Sequence, residues 1–228
     1  VNGDGLADVI VGARDSAPAW VTTAGRSYVV FGKSDGADVE LSAIDGTGPG
    51  GGAGGFVING QADNDRSGIS VSSAGDVNGD GLADVIVGAY RSDPAAILGA
   101  GRSYVVFGKT GGADVDLSAI DDGIGGFVIN GQARDDRSGS SVSSAGDVNG
   151  DGMADVIVGA PYGDSAAGAN AGRSYIVFGK TDGADADLSA IDGTGPGGGT
   201  GGFVINGQTA GELSGVSVSS AGDVNGDG

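Results

Sequence analysis

The stretch Asp-Val-Asn-Gly-Asp-Gly recurs along the chain, with oxygen-bearing side chains at alternate positions. In residues 76–84, Asp stands at positions 1, 5 and 9, Asn at position 3 and Gly at position 6. Calcium takes about six to eight oxygen ligands, and such a loop can bring several carboxylate and amide oxygens to one point. Gly at position 6 permits the sharp turn that this requires. We therefore predict a calcium loop whose ligands are the side chains of Asp76, Asn78, Asp80 and Asp84 and the carbonyl of Leu82.

The same loop occurs once more in full and is cut at both ends of the chain. The full copy predicts ligands at Asp147, Asn149, Asp151, the Met153 carbonyl and Asp155. The opening copy lacks position 1 and the closing copy lacks position 9, so neither holds a full set. We expect two intact calcium sites and one severed site, whose candidate ligands are Asn2, Asp4, Leu6 and Asp8 at the start and Asp223, Asn225 and Asp227 at the end.

The loop has three other possible interpretations: an EF-hand, a magnesium site and a plain hairpin turn. An EF-hand needs Glu at position 12 and flanking helices, but position 12 is Val87, inside an apolar β run. Magnesium prefers stricter octahedral geometry and keeps its waters, so calcium suits the loop better. The remaining alternative is a plain hairpin turn, since Asn-Gly and Asp-Gly form such turns without metal. A plain turn does not explain the Asp at positions 1 and 9.

The loops belong to a long repeat. Asp4, Asp80, Asp151 and Asp227 are separated by 76, 71 and 76 residues, and the length difference falls in one Gly-rich surface segment. The second unit holds four short β-type runs, which begin at Phe56, Ile69, Ala83 and Arg102 and are bounded by Gly, Asn, Asp and Ser. A stretch such as "DVELSAID" predicts one helical turn. "VIVGA" is continuously apolar, as expected where both faces of a strand are covered.

These patterns predict an all-β fold with β-propeller-type blades of four antiparallel strands, in three tandem units. A linear β-solenoid is the alternative. Residues 1–228 are expected to form one β domain, with unit boundaries near the loops at 1–8, 76–84, 147–155 and 223–228. Three blades are too few for a closed ring, so we expect a part of a larger ring or array, through neighbouring repeats or self-association.

The units resemble the FG-GAP repeats of the integrin α-subunit β-propeller and its bacterial relatives. The "FG" pairs are Phe31-Gly32, Phe107-Gly108 and Phe178-Gly179, and "GAP" is present at 159–161, whereas the other units depart from "GAP". The resemblance implies a propeller with calcium loops on one face, in secreted or cell-surface proteins that often act in adhesion. It does not imply integrin ligands, which depend on other loops.

Composition narrows the possible functions. The 228 residues include no Cys and no His, and 30 acidic residues against 11 basic ones give a net charge of −19. Such a surface repels nucleic acid and anionic membranes. The commonest catalytic bases and nucleophiles are absent, so we predict that the protein is not an enzyme. No apolar run is long enough for membrane insertion.

The segment that follows each "VIVGA" run keeps its length but not its sequence. These segments, 14–24, 90–100 and 161–171, include the apolar residues Trp20, Val21, Ile97 and Leu98. They predict a recognition surface for protein or glycan, or an inter-chain contact. The alternatives are loops folded back on their own blades and simple sequence drift. The sequence thus favours a calcium-binding extracellular repeat module used in cell-surface adhesion or recognition. The alternative is a structural segment of a long repetitive surface protein or fibre.

Overall fold

The computed structural model describes residues 1–18, 21–45, 54–194 and 199–226, which form thirteen strands, three short α-helices and one 3-10 turn at Pro94–Ala96. The three helical turns lie where "LSAI" recurs, which confirms the predicted helical turn. The strands are β1 (Val9–Ala13), β2 (Arg26–Val30), β3 (Gly55–Asn59), β4 (Ser70–Gly75), β5 (Asp84–Ala89), β6 (Arg102–Val106), β7 (Val115–Asp116), β8 (Gly126–Asn130), β9 (Ser141–Gly146), β10 (Asp155–Ala160), β11 (Arg173–Val177), β12 (Ala186–Asp187) and β13 (Gly202–Asn206), and the helices are α1 (Leu41–Ile44), α2 (Leu117–Asp121) and α3 (Leu188–Ile191).

The strands form three sheets in chain order. The first has the order β1-β2-β3-β7, the second β4-β5-β6-β8-β12 and the third β9-β10-β11-β13. Each unit contributes a run of antiparallel strands, which confirms the predicted all-β fold with propeller-type blades. No helix in the described part of the chain is long and apolar enough to cross a membrane.

Two details of strand assignment differ from the sequence-based prediction. The sequence places the run that begins at Phe56 in the second unit, but in the structure it forms β3 of the first sheet, between β2 and β7. In addition, β7 and β12 extend the preceding sheets by parallel pairing with β3 and β8. A strand of only two residues leaves no period in the sequence, which is why pattern analysis missed it.

The hydrophobic core lies between neighbouring sheets. In β5, Val85 and Val87 pack with residues of the first sheet, whereas Ile86 packs with residues of the third. Because side chains alternate between the two faces of a strand, a strand enclosed on both sides needs apolar residues at every position. All of β5 is buried, which confirms the interpretation of "VIVGA" as a strand covered on both faces.

Glycine in "VIVGA" allows two sheets to come close. A Cβ at Gly88 would stand 2.1 Å from the carbonyl oxygen of Gly139, on the segment that leads into β9. Gly12 and Gly159 meet equivalent carbonyls at 2.1 Å and 2.0 Å. No L side chain fits such a gap, so this glycine is required by packing between units.

The two-residue strands β7 and β12 join the first sheet to the second unit and the second sheet to the third unit. Asp185 accepts a hydrogen bond of 2.9 Å from the Val128 backbone N–H, and Asp187 accepts one of 3.2 Å from the Asn130 side chain. The Lys180 ammonium lies 4.5 Å from the centre of the Phe127 ring. The joint between the first and second sheets repeats these contacts through Asp114, Asp116 and Lys109.

The Gly-rich segments of variable length mostly fall at 46–53 and 195–198, outside the described residues, so their prediction as surface loops stays a prediction.

Candidate metal-binding loops

The loop at 76–84 connects β4 and β5, the first two strands of the second sheet in chain order, which we call the inner strands of that blade. The pairing of β4 with β5 shifts register between Ser73 and Gly75, and Gly75 has a φ of +78°. This bulge ends β4 just before Asp76, and β5 begins at Asp84. The first and ninth positions of the predicted ligand set are therefore fixed by strand ends, which favours a loop of one shape.

Asp76 organises the loop backbone. Its Oδ1 accepts hydrogen bonds from the backbone N–H groups of Gly79 and Asp80, at 2.8 Å and 3.0 Å. Its Oδ2 accepts one from Gly81 at 2.9 Å. Gly79 and Gly81 have φ values of +76° and +89°, a region that glycine enters readily. The tight turn predicted from the sequence is therefore present.

Asn78 and Asp80 lie beside each other within the turn. The Asn78 Oδ1 accepts from the Asp80 backbone N–H at 2.9 Å, and its Nδ2 donates to Asp80 Oδ2 at 2.9 Å. Asp80 Oδ1 accepts from the Leu82 backbone N–H at 2.8 Å. The side chains at positions 1, 3 and 5 thus all point into the loop.

Asp84 is the buried member of the set. It is fully buried, and it accepts backbone hydrogen bonds of 2.8 Å from both Val77 and Gly108. Burial raises the pKa of its carboxyl to about 6; the two hydrogen bonds oppose that rise, and the negative charges of Asp80 and Asp76 add to it. The carboxylates of Asp76 and Asp80 therefore lie close enough to Asp84 for their negative charges to act on it.

The Gly108 contact is a part of the site that the sequence analysis missed. Gly108 is the glycine of the "FG" pair and lies 24 residues after Asp84. The same 2.8 Å bond joins Gly32 to Asp8 and Gly179 to Asp155, again 24 residues apart. The constant spacing of 24 residues between the ninth loop position and the glycine of "FG" is the feature of the sequence that indicates this contact.

The loop at 147–155 has the same geometry. Burial raises the pKa of Asp155, and the charge of Asp151 contributes. Its hydrogen bonds repeat those of the first loop within a few tenths of an ångström: Gly150 N, Asp151 N and Gly152 N to Asp147 at 2.7, 3.1 and 2.9 Å, Asn149 Nδ2 to Asp151 at 2.8 Å, Met153 N to Asp151 at 2.9 Å and Val148 N to Asp155 at 2.7 Å.

The opening half-loop keeps this arrangement without its first position. Asp4 accepts from the Leu6 backbone at 2.8 Å and from the Asn2 side chain at 2.8 Å. Asp8 accepts from the Asn2 backbone at 3.2 Å.

The closing half-loop is described only in part. Asp223 accepts from Gly226 at 2.7 Å, as position 1 does in the intact loops. Asn225 has partners of its own, and Asp227 lies outside the described residues.

The ligand set suits a hard cation by chemistry. All its predicted donors are carboxylate, amide or carbonyl oxygens, the ligands that calcium prefers. A carboxylate can accept at about four positions, and Asp76 uses three of them within the loop. In the described residues, however, no three acidic side chains lie together in a group that could hold an ion. The ligand assignments therefore remain predictions.

The opposite end of β5 carries the segment 90–100. Leu98 is half exposed, and its carbonyl accepts a hydrogen bond of 3.0 Å from the Asp135 backbone, while the Gly99 carbonyl accepts one of 3.1 Å from Arg137. These hydrogen bonds hold the segment against the connection between β8 and β9. The side chain of Leu98 nevertheless stays half exposed. Trp20 of the corresponding segment 14–24 lies outside the described residues.

The fold and loops define a class: an all-β protein of propeller-type blades with an Asp/Asn loop between the inner strands. Comparison with known proteins makes this specific, because the profile of the FG-GAP repeat matches residues 67–106 and 138–177. The chain therefore contains FG-GAP repeats.

Two relatives are integrin α chains. The chain is 32% identical to integrin alpha-5 of Xenopus laevis over 128 residues, which is 54% of this chain and 11% of that protein. It is 34% identical to integrin alpha-PS2 of Drosophila melanogaster over 111 residues, 47% of this chain and 7% of that protein. The chain thus corresponds to a small part of each of these relatives.

Proposed function

We propose that the loops at 76–84 and 147–155 each bind one calcium ion and that the protein is a calcium-stabilised recognition module. The observation that carries this proposal is the tight turn at 76–84, in which the side chains of Asp76, Asn78 and Asp80 point into the loop. The ninth position, Asp84, is fully buried, and the negative charges of Asp80 and Asp76 help to raise the pKa of its carboxyl. A bound cation offsets that repulsion and ties the two inner strands of a blade together. Calcium supplies charge and coordination here, and the chain supplies a preformed turn.

Calcium that binds the folded state stabilises it by mass action, by about 2.7 kcal/mol per site at a concentration one hundred times the Kd. We expect the melting temperature to fall when a chelator replaces calcium. Asp80→Asn with Asp151→Asn should abolish most of that difference. Asp122→Asn, at an exposed position outside the loops, is the matched control. A melting temperature that chelation leaves unchanged would refute the proposal.

Recognition is proposed for the segments 14–24, 90–100 and 161–171, with a protein or a glycan as partner. Sequence divergence among otherwise similar units and the exposure of Leu98, at 49%, support this surface. The similarity to integrin α chains supports an extracellular or cell-surface location and a binding role in place of catalysis.

The recognition proposal is tested by binding of the chain to a panel of defined glycans and to a cultured cell layer. Leu98→Ser should weaken binding, whereas Ile124→Ser should not. Ile124 is 66% exposed but lies just beyond α2, away from the three segments. Equal binding by both variants and the parent chain would remove the 90–100 segment from the proposed surface.

A further inference from the structure

The chain carries seven Asn-Gly pairs, and they fall into two structural settings. Three of these Asn residues end the strands β3, β8 and β13, at Asn59, Asn130 and Asn206. Four lie in the Asp-rich loops, at Asn2, Asn78, Asn149 and Asn225. Asn before Gly readily loses ammonia, because no side chain hinders the Gly nitrogen when it attacks the side-chain carbonyl of the Asn. The surroundings of the Gly nitrogen therefore decide which pairs can react.

At the strand ends the Gly backbone is held in place by a neighbouring segment. The Gly60 N–H donates to the Gly25 carbonyl at 2.9 Å, and the Gly131 N–H donates to the Gly101 carbonyl at 2.9 Å. A Cβ at Gly60 or Gly131 would stand 2.2 Å from another backbone carbonyl oxygen. Attack on the Asn side chain requires the Gly nitrogen to turn away from its carbonyl partner in a space that is already filled. The strand-end pairs are therefore protected.

In the two intact loops the same N–H group donates to a carboxylate. The Gly79 N–H donates to Asp76 Oδ1 at 2.8 Å, and the Gly150 N–H donates to Asp147 Oδ1 at 2.7 Å. This N–H must lose its proton as the nitrogen attacks, and a carboxylate is a much stronger proton acceptor than a backbone carbonyl. A Cβ at Gly150 would meet no atom within 4 Å, and one at Gly79 would meet only Met153, at 3.7 Å or more. The loop backbone therefore has room to rearrange.

The Asn side chain in each intact loop is held for the same reaction. Asn78 Oδ1 accepts a hydrogen bond of 2.9 Å from the Asp80 backbone N–H, which stabilises the negative charge that this oxygen gains when Cγ is attacked. The leaving nitrogen, Asn78 Nδ2, donates to Asp80 Oδ2 at 2.9 Å. Asn149 and Asp151 repeat these two bonds at 2.9 Å and 2.8 Å. Each intact loop thus combines a proton acceptor, a donor to the carbonyl oxygen and a contact to the leaving group.

We propose that Asn78 and Asn149 are modification sites that deamidate in the folded protein. The nitrogen of the following Gly forms a bond to the Asn Cγ and gives its proton to the Asp carboxylate at the first loop position. The bond between Cγ and Nδ2 breaks, Nδ2 takes up a proton and leaves as ammonia, and a succinimide ring remains. Water opens the ring at either carbonyl carbon and gives Asp or isoAsp. The net reaction consumes one water and releases one ammonia, so no further reactant is required.

Either product changes the loop. Asp at position 3 adds a negative charge beside Asp80, and isoAsp lengthens the main chain by one methylene group within the turn that Gly79 and Gly81 form. Calcium held by Asp76 and Asn78 would occupy both oxygens on which the reaction depends, so a filled loop should deamidate more slowly than an empty one. This last step rests on the calcium binding proposed above, whereas the deamidation itself does not.

Peptide mapping by mass spectrometry tests the deamidation without any assumption about calcium. The full chain is incubated at neutral pH with chelator, either folded or in urea, and conversion is followed at each Asn-Gly pair. In the folded chain, Asn78 and Asn149 should react at least about tenfold faster than Asn59 and Asn130. In urea all four should react at similar rates. Equal rates at the loops and the strand ends of the folded chain, or loop sites that react more slowly folded than in urea, would overturn the proposal.

Asp76→Asn tests the proton acceptor, because the amide keeps the size of the side chain and removes its charge. Asn78 should then react at least about tenfold more slowly, whereas Asn149 in the same chain is the matched control and should keep its rate. An unchanged rate at Asn78 would overturn the role of Asp76. Calcium in place of chelator should slow both loop sites of the parent chain. Equal rates in calcium and in chelator would contradict the calcium site, and the comparison with the strand ends in chelator would still decide the deamidation.

Discussion

Ile129 and Ile205 occupy the same place in successive units, yet one is fully buried and the other is 47% exposed. Substitution of each by Ala removes three carbons, worth about 0.8 kcal/mol each when fully transferred from water. For Ile129 this gives about 2.4 kcal/mol, and the cavity left between the second and third sheets brings the expected loss to about 3–5 kcal/mol. For Ile205, half of the transfer term and no enclosed cavity give about 1 kcal/mol.

Urea denaturation at neutral pH measures both losses. The free energy of unfolding should fall by at least about 2 kcal/mol more for Ile129→Ala than for Ile205→Ala. The two variants share the local sequence "GGFVINGQ", so differences in strand propensity cancel. Equal losses for the two variants would refute the placement of the core between sheets.

Three further predictions concern packing and charge. Gly88→Ala places a Cβ 2.1 Å from the Gly139 carbonyl oxygen and should lower the melting temperature strongly. Gly111→Ala is the control and should not lower it, because a Cβ there has no atom within 4 Å. Similar melting temperatures for the two variants would contradict the close approach of the two sheets. Burial raises the pKa of the Asp65 carboxyl to about 6, so between about pH 4 and 6 the folded state binds more protons than the unfolded state. With chelator present, the free energy of unfolding should therefore fall as the pH rises from about 4 to about 6. Asp65→Asn should remove up to about 3 kcal/mol of that pH dependence, as followed by denaturation across this range, and a profile unchanged by the substitution would contradict the shift. Asp136, whose pKa burial likewise raises to about 6, should give the same result when it is replaced by Asn, with the parent chain as reference.

The sequence was sufficient for the tight turns of the loops and for the positions of the longer strands. Glycine, Asn and Asp at fixed spacing are local signals, and the loop at 76–84 adopts the tight turn that they predict. The apolar run of β5 likewise indicated a strand covered on both faces, because burial on two sides removes alternation.

The features that the sequence did not reveal depend on contacts between units. The run at Phe56 has the same composition whichever sheet it joins, so only the pairing with β2 assigns it to the first. The contact of Gly108 with Asp84 joins residues 24 apart across two strands, and a two-residue strand such as β7 is too short for a period.

The central claim is that the two intact loops bind calcium, and a calcium titration of the full chain by calorimetry tests it most directly. We predict saturable binding with at least two ions per chain. Asp80→Asn should remove one of these ions and leave the binding at 147–155 in place. A titration without saturable binding, or one that Asp80→Asn does not change, would contradict the account.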